Sequence, residues 1–175
     1  MEFIEKIIQE HTQGSDWIFG FADLSGLVAD EYGPHPYAIS IGKKLDHRIV
    51  DSIAQGPTAE YLQHYHDTNR SLLQSSKAIE TDLRQEGIST VVIPPTIADP
   101  RELDINNIVY PFSHKMAATQ AGLGWIGKTD LLITYAFGPR LRLSTILIDH
   151  PIKALAPPVM ESECGDCTIC IEECP

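Results

Sequence analysis

All four cysteines of the 175-residue chain fall in its last dozen positions, in the stretch CGDCTICIEECP. Cys164, Cys167, Cys170 and Cys174 follow the spacing C-x2-C-x2-C-x3-C, and Pro175 comes next. This spacing restricts the local fold more than any other feature. Thiols two residues apart reach a common centre only if the backbone wraps tightly around it, and thiolates select soft metal centres. Zinc sites usually pair two C-x-x-C knuckles across a longer segment, so zinc is the weaker rival and an iron–sulfur cluster the better reading. In two-cluster ferredoxins a fourth cysteine followed by proline ligates the other cluster. The first 163 positions hold no cysteine to complete two such sites. The expectation is therefore a piece of a longer chain, with two [4Fe–4S] clusters in the full-length protein. A single cluster on the four local cysteines is the alternative. Glu161, Glu163, Asp166, Glu172 and Glu173 surround the thiols. They either lower a cluster's potential, because negative charge opposes the incoming electron, or form a solvated acidic face.

Clustered cysteines also argue against a secreted disulfide scaffold, which spreads them along the chain. The chain carries 13 basic and 24 acidic residues, net −11. Nucleic acid is an unlikely partner for such a surface. No apolar run reaches membrane-spanning length, and the start MEFIEKIIQEH is amphipathic and charged, unlike a secretory signal. The expectation is a cytoplasmic protein with no membrane partner.

The hydrophobic content of 43% supports a packed core. Ile4, Ile7 and Ile8 share one face of a first helix that stops near Gly14. Strands are predicted at 17–22 and 37–41, with a short helix around Ile49, Val50 and Ile53. From Thr58 to Glu86 there is no glycine or proline, and apolar residues recur at helical spacing, which predicts one long helix stopped by Gly87. Thr90–Ile93 reads as a strand. Ser113 is placed to cap a helix over 114–121, and strands follow at 131–134 and 141–148, around a turn at Gly138-Pro139. Three prolines mark 150–159 as a linker. The domain reading is an α/β cofactor-binding domain over 1–150, then a linker and partial cluster module over 151–175.

Between the helix at 114–121 and the strand at 131–134 lies GLGWIGKT, residues 122–129. It satisfies both G-x-x-x-x-G-K-[ST] and G-x-G-x-x-G. Either nucleotide loop needs a strand before it and a helix after it, so that backbone N–H groups point at phosphate. Here the order is reversed. Gly122 reads as a helix-terminating glycine, and Trp125 and Ile126 put bulk where phosphate would be wrapped. A phosphate-loop NTPase is thus a remote alternative.

The combination SHKMAATQAGLGWIGKTDLLIT, GPRLRLSTILID and CGDCTICIEECP resembles the epoxyqueuosine reductase family, over most of positions 60–175. His64-Tyr65-His66, before Asp67-Thr68-Asn69-Arg70, is similar to the family's Asp-Tyr-His segment. The resemblance implies a nitroreductase-like, corrinoid-binding α/β core followed by the start of a ferredoxin-like double-cluster module. It implies a cobalamin and [4Fe–4S] clusters as cofactors, with electrons passing through the clusters to the corrinoid. A low-potential donor such as ferredoxin or flavodoxin would supply those electrons. His114, Lys115, Gly122, Gly124, Trp125, Ile126, Gly127 and Lys128 become cofactor-binding positions, and Cys164, Cys167, Cys170 and Cys174 metal ligands. One departure is plain. The family's proton-donating aspartate stands three residues before a proline, and matching Pro111 to that proline puts Ile108 in the aspartate's place. Isoleucine donates no proton. Asp104 and Tyr110 are nearby substitutes, and the catalytic acid is unassigned. With the acidic surface, this points to an oxidoreductase acting on an unidentified small-molecule substrate other than epoxyqueuosine. The alternative is a non-catalytic electron carrier or accessory iron–sulfur protein.

Overall fold

The computed structural model describes residues 2–95 and 112–173. Helix α1 (Glu2–His11) leads into strand β1 (Trp17–Asp23), a 3-10 turn (Asp30–Tyr32) and strand β2 (Tyr37–Lys44). Helices α2 (His47–Asp51) and α3 (Ala59–Gln85) precede β3 (Thr90–Ile93). After residue 112 come α4 (His114–Gln120), β4 (Gly124–Ile126), β5 (Leu132–Thr134), β6 (Leu141–Ile148) and α5 (Ile169–Glu172). The main sheet has the order β1-β2-β6-β3 and is antiparallel throughout. β4 and β5 pair separately as a hairpin.

Both faces of the main sheet are covered, which explains why β2 is apolar without clean alternation. Register places Phe21, Ile39 and Ile146 in one row across β1, β2 and β6. That row faces α1 and α3, where Ile4, Ile8, Leu72, Ile79 and Leu83 complete a fully buried cluster. The next row, Ala22, Ala38 and Leu147, faces the other way and receives Ala117 and Ala121 of α4. Small side chains on this face let the short helix sit close to the sheet.

α3 is stabilised at both ends. The Thr58 hydroxyl accepts the Tyr61 N–H at 3.1 Å, and Gly87 follows the helix at φ 81°. Its buried stripe is Thr68, Leu72, Ser76, Ile79 and Leu83. Ser76 and Ser144 satisfy each other across the helix–sheet boundary at 2.9 Å, and Ser144 also donates to the Ile93 carbonyl. The short helix expected around 49–53 begins earlier, because the Asp46 carboxylate caps it by accepting the Arg48 N–H at 2.8 Å. Among the described residues, no helix is long and apolar enough to cross a membrane.

Candidate functional site

The site grows from the end of α4. The Ser113 hydroxyl accepts the Met116 N–H at its start. At its end, Gly122 N–H donates to the Thr119 carbonyl at 3.1 Å and Leu123 N–H to the Ala118 carbonyl at 3.0 Å. This paired arrangement needs a left-handed residue, and Gly122 supplies it at φ 72°. A side chain there would also strike Ala156 Cβ at 2.6 Å and the Pro157 carbonyl at 2.7 Å.

The chain then reverses through the β4–β5 hairpin. Gly124 lies so close to its partner strand that a Cβ would sit 1.9 Å from the Ile133 carbonyl. Asp130 N–H donates to the Gly127 carbonyl at 3.0 Å, and Gly127 N–H to the Leu131 carbonyl at 2.8 Å. Asp130 takes φ 60°, a conformation that aspartate tolerates better than most side chains. Gly127, Lys128 and Thr129 are therefore the tip of a β-hairpin. A helix enters this stretch and a strand leaves it, the reverse of a phosphate loop.

The hairpin holds the cysteine-bearing segment. Trp125 Nε1–H donates to Cys164 Sγ at 3.2 Å. Lys128 Nζ donates to the carbonyls of Gly165 and Cys167, each at 2.8 Å. Tyr135 packs edge-on against Trp125, with ring centres 5.3 Å apart, and donates its hydroxyl to Glu163 at 2.6 Å. That bond raises the phenol's pKa. Further back, Val159 N–H donates to the Thr119 carbonyl at 2.9 Å, tying the proline-rich stretch to α4. The Cys164 thiol is shifted toward its thiolate by Ser162, then by the Trp125 indole N–H, with Lys128 adding to both.

Cys164, Cys167 and Cys170 are free thiols; Cys164 is half-buried and the other two are exposed. Cys174 lies outside the described residues, and among those described no three His, Cys, Asp or Glu side chains gather as metal ligands. The donor chemistry nonetheless suits iron, since the candidate ligands are thiols on one short loop and the first is already biased toward thiolate.

Two cavities adjoin the hairpin. One, of about 470 Å³, has apolar walls including Phe112, Leu132 and Leu141 and polar points at His114, Lys115 and Arg142. The other, of about 500 Å³, lies between α4 and the segment around Val159 and Met160. Ser113, Lys115 and Asp130 line both. Lys115 Nζ reaches the Asp130 carbonyl and carboxylate at 2.7 Å each, so this pair stands where the cavities meet.

His114 is fixed by two bonds, Nε2 to the Pro94 carbonyl at 3.0 Å and Nδ1 to the Thr145 hydroxyl at 2.8 Å. A carbonyl only accepts, so Nε2 carries the proton and Nδ1 accepts from Thr145. Burial pushes its pKa down to about 4. Arg142 donates to Asn69 Oδ1 and the Tyr65 hydroxyl, each at 2.9 Å, and its guanidinium lies 4.3 Å from the Tyr65 ring centre.

Of the sequence-predicted positions, His114 and Lys115 line the first cavity, and Ile126, again with Lys115, the second. Gly122, Gly124 and Gly127 shape the hairpin, while Trp125 and Lys128 reach the cysteine loop. Ile108, Asp104 and Tyr110 lie outside the described residues. His64 sits within α3, where its Nε2 accepts the Asp46 N–H at 2.9 Å. Sequence reasoning missed Tyr135, Asp130 and Arg142, and with Arg142 the link between Tyr65 and Asn69, which it gave only as parts of a family-like segment. Arg142 had a signal: a charged residue between Leu141 and Leu143 in a strand asks for a partner.

No family model matches the chain. It is similar to the epoxyqueuosine reductase of Leadbetterella byssophila, at 38% identity over 65 residues, covering 37% of this chain and 21% of that protein. Against the epoxyqueuosine reductase of Pseudomonas aeruginosa the values are 41% over 66 residues, 37% of this chain and 18% of that protein. A longer match, 28% over 138 residues, covers 79% of this chain and 43% of the Synechocystis epoxyqueuosine reductase. The chain thus spans less than half the length of these curated relatives. A solved epoxyqueuosine reductase superposes on 98% of this chain and 51% of its own, with a TM-score of 0.66 at 16% identity. Another, crystallised with an epoxyqueuosine-modified tRNA stem loop, superposes on 98% of this chain and 50% of its own with a TM-score of 0.64, also at 16% identity. Sequence and fold together make this an epoxyqueuosine reductase-like chain.

Proposed function

We propose that the chain forms the cofactor-binding and cluster-facing part of a reductase of the epoxyqueuosine reductase type, with a nitroreductase-like core over 1–150 and the start of a ferredoxin-like module over 151–175. The observation that carries this reading is the direct seating of the cysteine loop on the glycine hairpin, through Trp125 and Lys128. A bound [4Fe–4S] cluster would supply single electrons, and a bound corrinoid the reducing metal centre.

The chain's own residues have definable roles. Cys164, Cys167 and Cys170, with Cys174, are the proposed cluster ligands. The hairpin holds Cys164 and the turn from Gly165 to Cys167, and the cavities that share Lys115 and Asp130 adjoin the same hairpin. The first cavity combines apolar walls with a few polar points, as sites for large organic cofactors do. Its neutral His114 has both nitrogens committed within the protein, so it shapes the wall and has no imidazolium proton to donate at neutral pH. Lys115, at the cavity junction, is the better placed cation for an amide- or phosphate-bearing edge.

Anaerobic reconstitution with iron, sulfide and cobalamin tests this. Bound iron and sulfide, together with a corrinoid spectrum that changes on binding, are expected. The second reading, an electron carrier, is favoured by Ile108 standing where the family has its acid. Clusters without cobalamin binding would select it. Retention of zinc alone would defeat both.

A further inference from the structure

The cluster reading says which thiols take the metal but leaves open what keeps an exposed acidic loop in place to receive it. The loop's own contacts are few. Cys167 N–H donates to the Cys164 carbonyl at 3.1 Å, and Cys164 N–H reaches Ser162 at 3.4 Å. Cys167 and Cys170 are exposed, and Ile169 and Ile171 are exposed by 67% and 50%. The loop has no packed interior of its own.

Two side chains from the hairpin make up for this. Lys128 stands at the hairpin tip and places one ammonium between two loop carbonyls, Gly165 and Cys167, at 2.8 Å each. Those residues flank Asp166, so one cation fixes the turn between the first and second cysteines. Carbonyl contacts of this kind constrain backbone and ignore side-chain identity. Trp125 acts on the first thiol, with its indole N–H 3.2 Å from Cys164 Sγ and its ring held edge-on by Tyr135. Tyr135 in turn bonds Glu163, the residue before Cys164. The β4–β5 pairing sets Trp125 opposite Ile133, so the indole's aim comes from the hairpin register.

We propose that Lys128 and Trp125 are positioning residues for the cluster: Lys128 holds the backbone between Cys164 and Cys167, and Trp125 orients Cys164 and hydrogen-bonds its sulfur when metal is bound. This rests on the cluster reading only for the second half. An N–H donor to a ligating sulfur stabilises the extra negative charge of the reduced cluster and raises its potential. Lys128 acts with or without metal.

The test uses the full chain. In the metal-free protein, Lys128→Gln is expected to speed hydrogen exchange at the Cys167 amide about tenfold, the scale of a lost charge-assisted contact, while β6 amides keep their protection. Lys128→Arg should restore slow exchange, because a guanidinium also donates to two acceptors. Trp125→Phe keeps the aromatic packing and removes the N–H. After reconstitution with iron and sulfide it should hold parental amounts of iron and titrate at a more negative midpoint potential. Unchanged Cys167 exchange in Lys128→Gln, or an unchanged potential in Trp125→Phe, would overturn the corresponding half. A parent chain that binds no iron overturns the Trp125 half and the cluster reading with it, while the exchange result still decides the Lys128 half.

Discussion

At the scale of single residues, two positions have consequences that can be measured. His114 is neutral in the fold, with a pKa of about 4 against an ordinary 6.5. Between those values the unfolded chain takes up a proton that the folded chain refuses. The associated stability is therefore complete above pH 6.5, declines as pH falls toward 4, and amounts to on the order of 3 kcal/mol. Urea unfolding followed from pH 7 to pH 5 should show a falling midpoint, and His114→Gln should remove this residue's share of the slope. Nitrogen-detected NMR at pH 5 should still show His114 neutral and protonated at Nε2. Gly122 differs from the other left-handed glycines in facing backbone at a distance no Cβ can accept. Gly138, at φ 59°, has nothing within 4 Å of where a Cβ would stand, whereas Gly122 faces Ala156 and Pro157. Gly138→Ala should cost about 1 kcal/mol for backbone conformation alone. Gly122→Ala should cost about 1–2 kcal/mol more and release the Val159 amide to faster exchange, because the strap over α4 must lift.

At the scale of elements, the hairpin is the part whose integrity everything at the site depends on. Gly124→Ala drives a methyl into the Ile133 carbonyl and cannot be relieved by a rotamer change, since the obstacle is backbone. A loss of about 3 kcal/mol is expected. The near-UV dichroism of the Trp125–Tyr135 pair should collapse while far-UV signal from the main sheet persists. Loss of both signals together would mean that the hairpin is not a separate element. The sequence showed the long elements clearly because they repeat: α3 carries a buried stripe of Leu72, Ile79 and Leu83, and β6 spans eight residues. It hid β4, at three residues, and α5, at four, since neither is long enough to repeat its period. Strand order and register were also out of reach, because they depend on partners far along the chain. The glycine stretch was half legible. Its flanking elements excluded a nucleotide loop, but nothing local revealed that Trp125 and Lys128 reach across to the cysteines. That contact arises only when the 150–159 stretch folds back along α4.

At the scale of the whole molecule, stability is unevenly distributed. The sheet and its two helical layers contain most of the fully buried residues, whereas α5 buries none, and Cys167 before it and Cys170 within it are free thiols. A four-residue helix has too few internal bonds to persist alone. Its N–H groups from Ile171 onward donate within the loop, to the Thr168 and Ile169 carbonyls, while Lys128 donates to Gly165 and Cys167. On the proposed cluster reading, ligation supplies the free energy that orders residues 169–172, and metal loading is expected to act as a local stabiliser. Hydrogen exchange compared between metal-free and iron-loaded chain is expected to slow strongly at Ile171 and Glu172, slow modestly at Cys167, and leave Ile146 and Leu147 unchanged. An iron chelator should reverse the change at α5 without unfolding the sheet. Slowing spread evenly across β6 would instead mean that the metal organises the core. Protection of α5 before loading would mean that its order comes from the hairpin and not from the metal.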